Sequence, residues 1–118
     1  MLCYICCHFI DEACPIKADI CLLLDQSTSI VSALPGGYDN WLVHILGFAK
    51  NVAGSFPIGP DDTRVGVVKF SSGAQVSFGL TQYTTRNDLV NAIDQLQIQG
   101  GETNIAAGIR LCRSVFNL

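Results

Sequence analysis

Directly after an apolar run, the 118-residue chain carries Asp25-Gln26-Ser27-Thr28-Ser29, an Asp-x-Ser-x-Ser pattern. One carboxylate and two hydroxyls are hard oxygen donors, and at alternate positions of a tight loop they can converge on one small cation. The set suits Mg2+ or Mn2+, which take six oxygens in octahedral array and keep several waters. A second element far along the chain, Gly100-Gly101-Glu102-Thr103-Asn104, supplies a further hydroxyl, that of Thr103. Asp and Ser are common turn residues, so Asp25, Ser27 and Ser29 alone also read as an Asx or Ser turn. Joined to the Gly-Gly-x-Thr-Asn loop they read as a divalent-cation site. Thr103 suits the N-cap of the helix that follows as well, and Glu102 reads as a solvated loop charge.

Other reactive side chains point to less. Six cysteines, at positions 3, 6, 7, 14, 21 and 112, favour an oxidising compartment. Cys3, Cys6, Cys7 and His8 contain one Cys-x-x-Cys but no second pair, so zinc is not expected there. Cys21 lies in an apolar run and reads as a free buried thiol; Cys112 reads as a core residue on the apolar face of a helix. His8 and His44 are the only histidines and neither sits in a nucleophile motif, so Ser27 or Ser29 has no general base. His44, among apolar neighbours, is expected to be structural. The Gly-Gly loop lacks the GxxxxGK[ST] order that cradles phosphate. The chain is thus read as non-enzymatic.

The elements that must position these residues follow from periodicity. Ile20 to Leu24 form an uninterrupted apolar run between Asp19 and Asp25, which predicts a parallel strand covered on both faces. Its carboxyl end carries the Asp-x-Ser-x-Ser loop, and in open α/β sheets ligands bind at that end. After the break at Pro35-Gly36-Gly37, Asp39 or Asn40 caps a helix with apolar positions Leu42, Ile45, Leu46, Ala49, Val52 and Ala53. Trp41 and Phe48 are expected to pack this helix onto the sheet. Gly54 to Asp62 is a loop, Arg64 to Phe70 a second strand, and Gln75 to Leu80 a third with Val76, Phe78 and Leu80 in alternation. The short link Ser71 to Ala74 suits an antiparallel hairpin. Thr85 and Asp88 resemble a capping box for a helix over Arg86 to Leu96, with Leu89, Ala92, Ile93 and Leu96 inward. Ile105, Ile109, Cys112 and Phe116 then mark the apolar face of a third helix. This order predicts an open α/β sheet with one antiparallel edge strand.

Composition narrows the class further. The net charge is −3 and the basic residues are scattered, which argues against a nucleic-acid groove or a polybasic membrane patch. Hydrophobic residues make up 49% and charged residues 14%, which excludes disorder and demands a doubly buried sheet or surface that another segment covers. No run approaches the roughly 18 apolar residues that span a bilayer, so no membrane insertion is expected. Residues 1–17 read as a cysteine-rich leader or linker. Its start, MLCYICCHFI, is similar to a degenerate signal peptide without a basic first segment or a small-residue cleavage site.

On these residues the sequence resembles the von Willebrand factor A domain, the module also found as the integrin inserted domain and in matrilins and non-fibrillar collagens. The likeness runs from Ala18 onward through ADICLLLDQSTSI, DDTRVGVVKFSS and GGETNIAAGI. It implies a doubly wound, Rossmann-like sheet with a metal-ion-dependent adhesion site (MIDAS) on its upper rim. By position, the resemblance makes Ser27 and Ser29 direct ligands of Mg2+ or Mn2+, Asp25 a ligand mostly through water, and Thr103 a ligand in the binding-competent state. A carboxylate of a partner protein is then the sixth ligand. The resemblance also implies a disulfide between Cys14 and a cysteine after the domain's last helix.

The family adds a third metal loop, headed by an Asp, beyond the strand that follows the third helix, and the sequence stops at Leu118 before that strand. The expectation is therefore the N-terminal part (18–118) of a von Willebrand factor A domain, with an incomplete sheet and an apolar edge at its first strand. The implied function is extracellular adhesion to a protein ligand such as collagen or another matrix or receptor protein, without nucleic acid. The alternatives are an intracellular A-domain protein of a large assembly, or a non-functional fragment of a longer matrix protein.

Overall fold

The computed structural model describes residues 17–32 and 35–117. Cys3, Cys6, Cys7, His8 and Cys14, with the leader reading and the Cys14 disulfide, lie outside the described residues. Among the described residues, three strands form one sheet in the order β1 (Asp19–Asp25), β2 (Arg64–Phe70), β3 (Ala74–Phe78). β1 and β2 are parallel, in register from Asp19 opposite Arg64 to Asp25 opposite Phe70; β3 runs antiparallel to β2. The parallel crossover contains a short helix α1 (Thr28–Ser32), a π-helical segment (Asn40–Leu46) and its continuation α2 (Gly47–Ser55). Helices α3 (Arg86–Asp94) and α4 (Ile105–Val115) follow β3. This is the expected mixed α/β architecture with an incomplete, Rossmann-like sheet.

Alternation along the strands splits the core into two layers. Leu22, Leu24, Val65 and Val67 pack with Trp41, Leu46, Ala49, Ala53, Leu89 and Ile93 beneath α2 and α3. On the opposite face Cys21, Leu23 and Val68 meet Leu80, Leu111, Cys112 and Val115 of the α4 layer. The run Ile20 to Leu24 therefore packs on both faces, fully at Leu22 and Leu24 and partly at Ile20, Cys21 and Leu23. No helix among the described residues is long and apolar enough to cross a membrane.

Local expectations fail where the backbone period changes. In the π-helical segment the Gly47 N–H donates to the Leu42 carbonyl, five residues back. That wider turn shifts the inward stripe to Trp41 and Leu46, and leaves Leu42 exposed. Phe48 is exposed as well. Asp39 stands at the N-cap without a side-chain bond, and Asn40 is buried with its Nδ2 donating to the Ile30 carbonyl at 3.0 Å. In β3 the register slips between Val67, opposite Phe78, and Val68, opposite Val76, so Ser77 is the extra residue of a β-bulge. The bulge breaks the alternation: Phe78 joins the α2 layer, Leu80 the α4 layer, and Val76 is exposed. Thr85 does cap α3, its Oγ1 accepting from the Asp88 N–H at 3.3 Å, and the helix ends at Asp94 rather than Leu96.

α4 departs most. Ile105, Ile109 and Phe116 are about half exposed, and the buried face is Gly108, Cys112 and Val115. Two glycines let the helix lie close to the sheet. A Cβ on Gly108 would stand 2.6 Å from Leu23 Cδ1 and 3.1 Å from Phe70 Cβ, and one on Gly66 would stand 2.9 Å from Val115 Cγ1. The close approach brings Cys112 to Cys21 with their Cα atoms 5.8 Å apart, within disulfide range, and the two are bonded. Cys21 is thus not a free thiol and Cys112 not simply a core residue. Their sequence separation of 91 hides the pair from any local pattern, and closing so long a loop is worth about 4–5 kcal/mol in the chain-entropy account.

Candidate functional site

β1 ends at Asp25 and the chain turns at once. The Ser27 N–H donates to Asp25 Oδ1 at 2.8 Å, an Asx turn, and the hydroxyls of Ser27 and Ser29 lie 2.8 Å apart, either able to donate. The bend ties the Ser27 backbone to the carboxylate, and the start of α1 brings the Ser29 hydroxyl to that of Ser27. Ser27 is fully buried, Asp25 half-buried and Ser29 exposed, so the oxygens open toward solvent on one side only. Asp25 Oδ2 accepts no hydrogen bond among the described residues.

The second loop is clamped between two neighbours at the carboxyl ends of the parallel strands. Gly100 donates its N–H to the Gln26 carbonyl at 2.9 Å, Thr28 donates its own to the Gly101 carbonyl at 2.9 Å, and the Gly101 N–H reaches Thr28 Oγ1 at 2.8 Å. On the other side the Asn104 N–H donates to the Ser71 carbonyl at 2.7 Å and the Glu102 N–H to Ser72 Oγ at 3.0 Å. Gly100 and Gly101 have φ of +79° and +111°, in the left-handed region that side chains avoid, and a Cβ on Gly101 would lie 2.8 Å from Ser72 Oγ. The Gly-Gly pair is what allows the loop to thread this gap.

Upstream, two buried side chains hold the irregular segment that leads to the loop. Lys69 donates from Nζ to the Gln97 carbonyl at 2.8 Å, and Trp41 donates from Nε1 to the Leu96 carbonyl at 3.4 Å. Lys69 has no ion-pair partner among the described residues, and burial pushes its ammonium below the usual lysine range. Gln26 is buried too; its N–H donates to the Phe70 carbonyl at 2.9 Å, while its Oε1 has no partner among the described residues.

Of the four expected ligands, Asp25, Ser27 and Ser29 are brought together directly. Thr103 is carried to the same rim by its loop, where it is exposed and its side chain makes no hydrogen bond among the described residues. It is not the N-cap of α4: Asn104 is, its Oδ1 accepting from the Ala107 N–H at 3.1 Å. Glu102 is exposed, as expected, and His44 lies on the exposed side of its helix. Sequence reasoning passed over Thr28, Ser71, Ser72 and Asn104, which fix the spacing of the two loops. A signal existed for the serines, since parallel β1 and β2 must deliver Asp25 and Ser71 to one edge.

The donor set is hard oxygen throughout, with a single carboxylate and, among the described residues, no cluster of three His, Cys, Asp or Glu. It fits a hard divalent cation that keeps part of its water, and does not fit a soft metal cage.

Comparisons with known proteins bear on the family and the fold. The profile of the von Willebrand factor type A domain matches residues 19–117. No curated protein matches the chain. Among solved structures, proximal thread matrix protein 1 (PTMP1) from the mussel byssus, with a zinc-occupied MIDAS motif, is 33% identical at a TM-score of 0.77. The match covers 85% of this chain and 25% of that one, so the chain spans about a quarter of the mussel protein's length. An uncharacterised membrane-spanning protein of Vibrio fischeri (20% identity, TM-score 0.67, 86% and 50% covered) shares the fold. So does the type V pili tip protein Mfa5 of Porphyromonas gingivalis (15%, 0.66, 90% and 18%). A family profile matched over nearly the whole described chain, on an α/β sheet of the same kind, makes the chain a member of the von Willebrand factor type A domain family.

Proposed function

We propose that the chain binds a protein partner through a divalent cation, Mg2+ or Mn2+, held at the rim by Ser27, Ser29 and Thr103 directly and by Asp25 mostly through water. The family is one of protein-interaction modules, generally without catalysis. The observation that carries the proposal is the 2.8 Å pair of Ser27 and Ser29 hydroxyls on the turn whose Ser27 N–H is held by the Asp25 carboxylate, with the Thr103 loop bonded to Thr28 of the same turn. One carboxylate against a doubly charged ion leaves a net positive centre open to solvent. An anionic oxygen is the group such a centre attracts best, so an acidic side chain of the partner completes the shell. The cation supplies the electrostatic bridge; Ser27, buried and fixed by the turn, sets where it sits.

The extracellular setting is supported by the Cys21–Cys112 disulfide, which persists in oxidising compartments. It is also supported by the similarity to a protein of the mussel byssus. Collagen or another matrix or receptor protein is the corresponding partner class. The test is calorimetric titration of the chain with Mg2+, followed by adsorption to immobilised collagen and other matrix proteins with Mg2+ or with EDTA. Saturable Mg2+ binding that weakens at least tenfold in Ser27→Ala, and adsorption abolished by EDTA, are expected. Adsorption unchanged in EDTA and in the Ser27→Ala, Thr103→Ala double variant would sink the cation mechanism.

A further inference from the structure

The two halves of the candidate site sit at the ends of two rigid arms, and one covalent rung joins the arms. Asp25 ends β1, four residues beyond Cys21 and hence about 13 Å above it at strand rise. Asn104 opens α4, eight residues before Cys112 and hence about 12 Å above it at helix rise. The Cys21–Cys112 bond therefore ties both arms at nearly equal depth below the rim.

Besides the bond, α4 meets β1 by apolar packing, in the layer that Leu111 and Val115 share with Leu23. Gly108 offers no side chain and rests against Leu23, while Ile105, Ile109 and Phe116 are half exposed. The rim bonds of Gly101 with Thr28, and of Glu102 with Ser72, join exposed residues, where water competes for each group. The bonds from the Gly100 and Asn104 amides go to carbonyls of the buried residues Gln26 and Ser71, and the disulfide adds a covalent tie between the two arms. Of the two bonded residues, Cys21 is partly buried and Cys112 buried.

We infer that the Cys21–Cys112 disulfide positions the Thr103 loop against the Asp25–Ser29 loop, so that divalent-cation affinity follows the redox state of this bond. The inference rests on the cation reading of the rim. Reduction breaks the Sγ–Sγ bond with two electrons and two protons from a dithiol, which closes to a cyclic disulfide, and leaves two thiols. Cys21 and Cys112 are positioning residues, acting through α4.

The test uses the chain with Cys3, Cys6, Cys7 and Cys14 each replaced by Ser, so that one pair alone can form. Mn2+ binding by electron paramagnetic resonance and amide hydrogen exchange at Gly100, Gly101, Glu102 and Asn104 are read in the oxidised form, in the dithiothreitol-reduced form, and in the Cys21→Ala, Cys112→Ala variant. Reduction and the double variant are expected to weaken Mn2+ about tenfold, the scale on which loss of an outer support weakens a metal site. The four loop amides are expected to exchange faster without metal, while Leu22 and Val67 stay protected. Equal Mn2+ affinity and equal loop exchange in folded oxidised and reduced chains overturn the inference. Should reduction unfold the chain, the comparison is made in the Cys21→Val, Cys112→Ala variant, which fills the space of the sulfurs without the bond; equal Mn2+ affinity and equal loop exchange there overturn it too. If the oxidised chain binds no Mn2+, the cation reading falls, and exchange alone then decides whether the bond positions the loop.

Discussion

Gly101 donates its backbone N–H to the Thr28 hydroxyl at 2.8 Å, and Thr28 returns its own N–H to the Gly101 carbonyl at 2.9 Å. This reciprocal pair spans 73 residues and is the most direct link between the two loops of the rim. Thr28→Val keeps the shape and the backbone bond but removes the acceptor. Both groups are exposed, so stability is expected to fall by only about 1 kcal/mol in urea denaturation. Mg2+ affinity is expected to fall as well; an unchanged affinity would show that the clamp does not register the loops.

Thr103 and Asn104 are adjacent but separable. Asn104 caps α4, so Asn104→Ala is expected to cost about 1 kcal/mol, read as a lower Tm. Thr103 makes no side-chain hydrogen bond among the described residues, so Thr103→Ala is expected to leave Tm in place and weaken Mg2+ in titration. A loss of Tm in Thr103→Ala comparable to that in Asn104→Ala would return Thr103 to a structural role.

Gly108→Ala sets two effects against each other. Alanine is the better helix former by about 1 kcal/mol in a helix interior. Its Cβ, however, would stand 2.6 Å from Leu23 and 3.1 Å from Phe70, and overpacking of this kind costs about 1–3 kcal/mol. Net destabilisation is expected from the urea midpoint. A stabilised variant would mean that α4 does not lie this close to β1.

Lys69 provides the pH dependence. Burial lowers its pKa in the fold, so the unfolded chain holds that proton more tightly, and stability rises with pH wherever the unfolded state binds more protons. The penalty is full below the lowered folded value and is relieved as pH climbs toward the ordinary lysine value of about 10.4. Lys69→Met removes the charge while keeping the length. The parent is expected to gain stability relative to Lys69→Met between pH 7 and pH 10, compared by urea midpoints at each pH. A constant difference between the two would exclude a charged, buried Lys69.

The Asp19–Arg64 pair has the opposite sign. The bidentate bond from the Arg64 guanidinium, at 2.8 and 2.7 Å, holds the Asp19 carboxyl below its usual range. Its contribution is present above the ordinary aspartate value and is lost as pH falls through the lowered one. Asp19→Asn is expected to flatten the acid limb of the stability curve below about pH 4. Because both side chains are about a third exposed, the effect is small.

Much of the fold was legible because short-range rules govern it. An unbroken apolar run reads as a doubly covered strand whatever surrounds it, and Thr85 caps α3 with atoms three residues apart. The Asp-x-Ser-x-Ser turn is equally local, since Asp25 bonds a backbone only two residues on. The α4 face was not legible, because Ile105, Ile109 and Phe116 carry the same helical period as the true contact face. Gly108 enters that face by having no side chain, which no hydrophobic pattern records. The π-helical segment and the bulge at Ser77 each alter a period by part of a turn or one residue, and every inference downstream of them moves to another face.

By itself the sequence determined the strand that bears the site, the hard-oxygen donors Asp25, Ser27 and Ser29, and the glycine pair whose positive φ angles admit the second loop. Those follow from bonds and torsions within a few residues. Only the tertiary structure decided that Thr28, Ser71 and Ser72 clamp that loop, that Asn104 rather than Thr103 caps α4, and that Cys21 is bonded to Cys112. Each depends on how closely α4 settles on the sheet, a distance set by the absent side chains of Gly66 and Gly108.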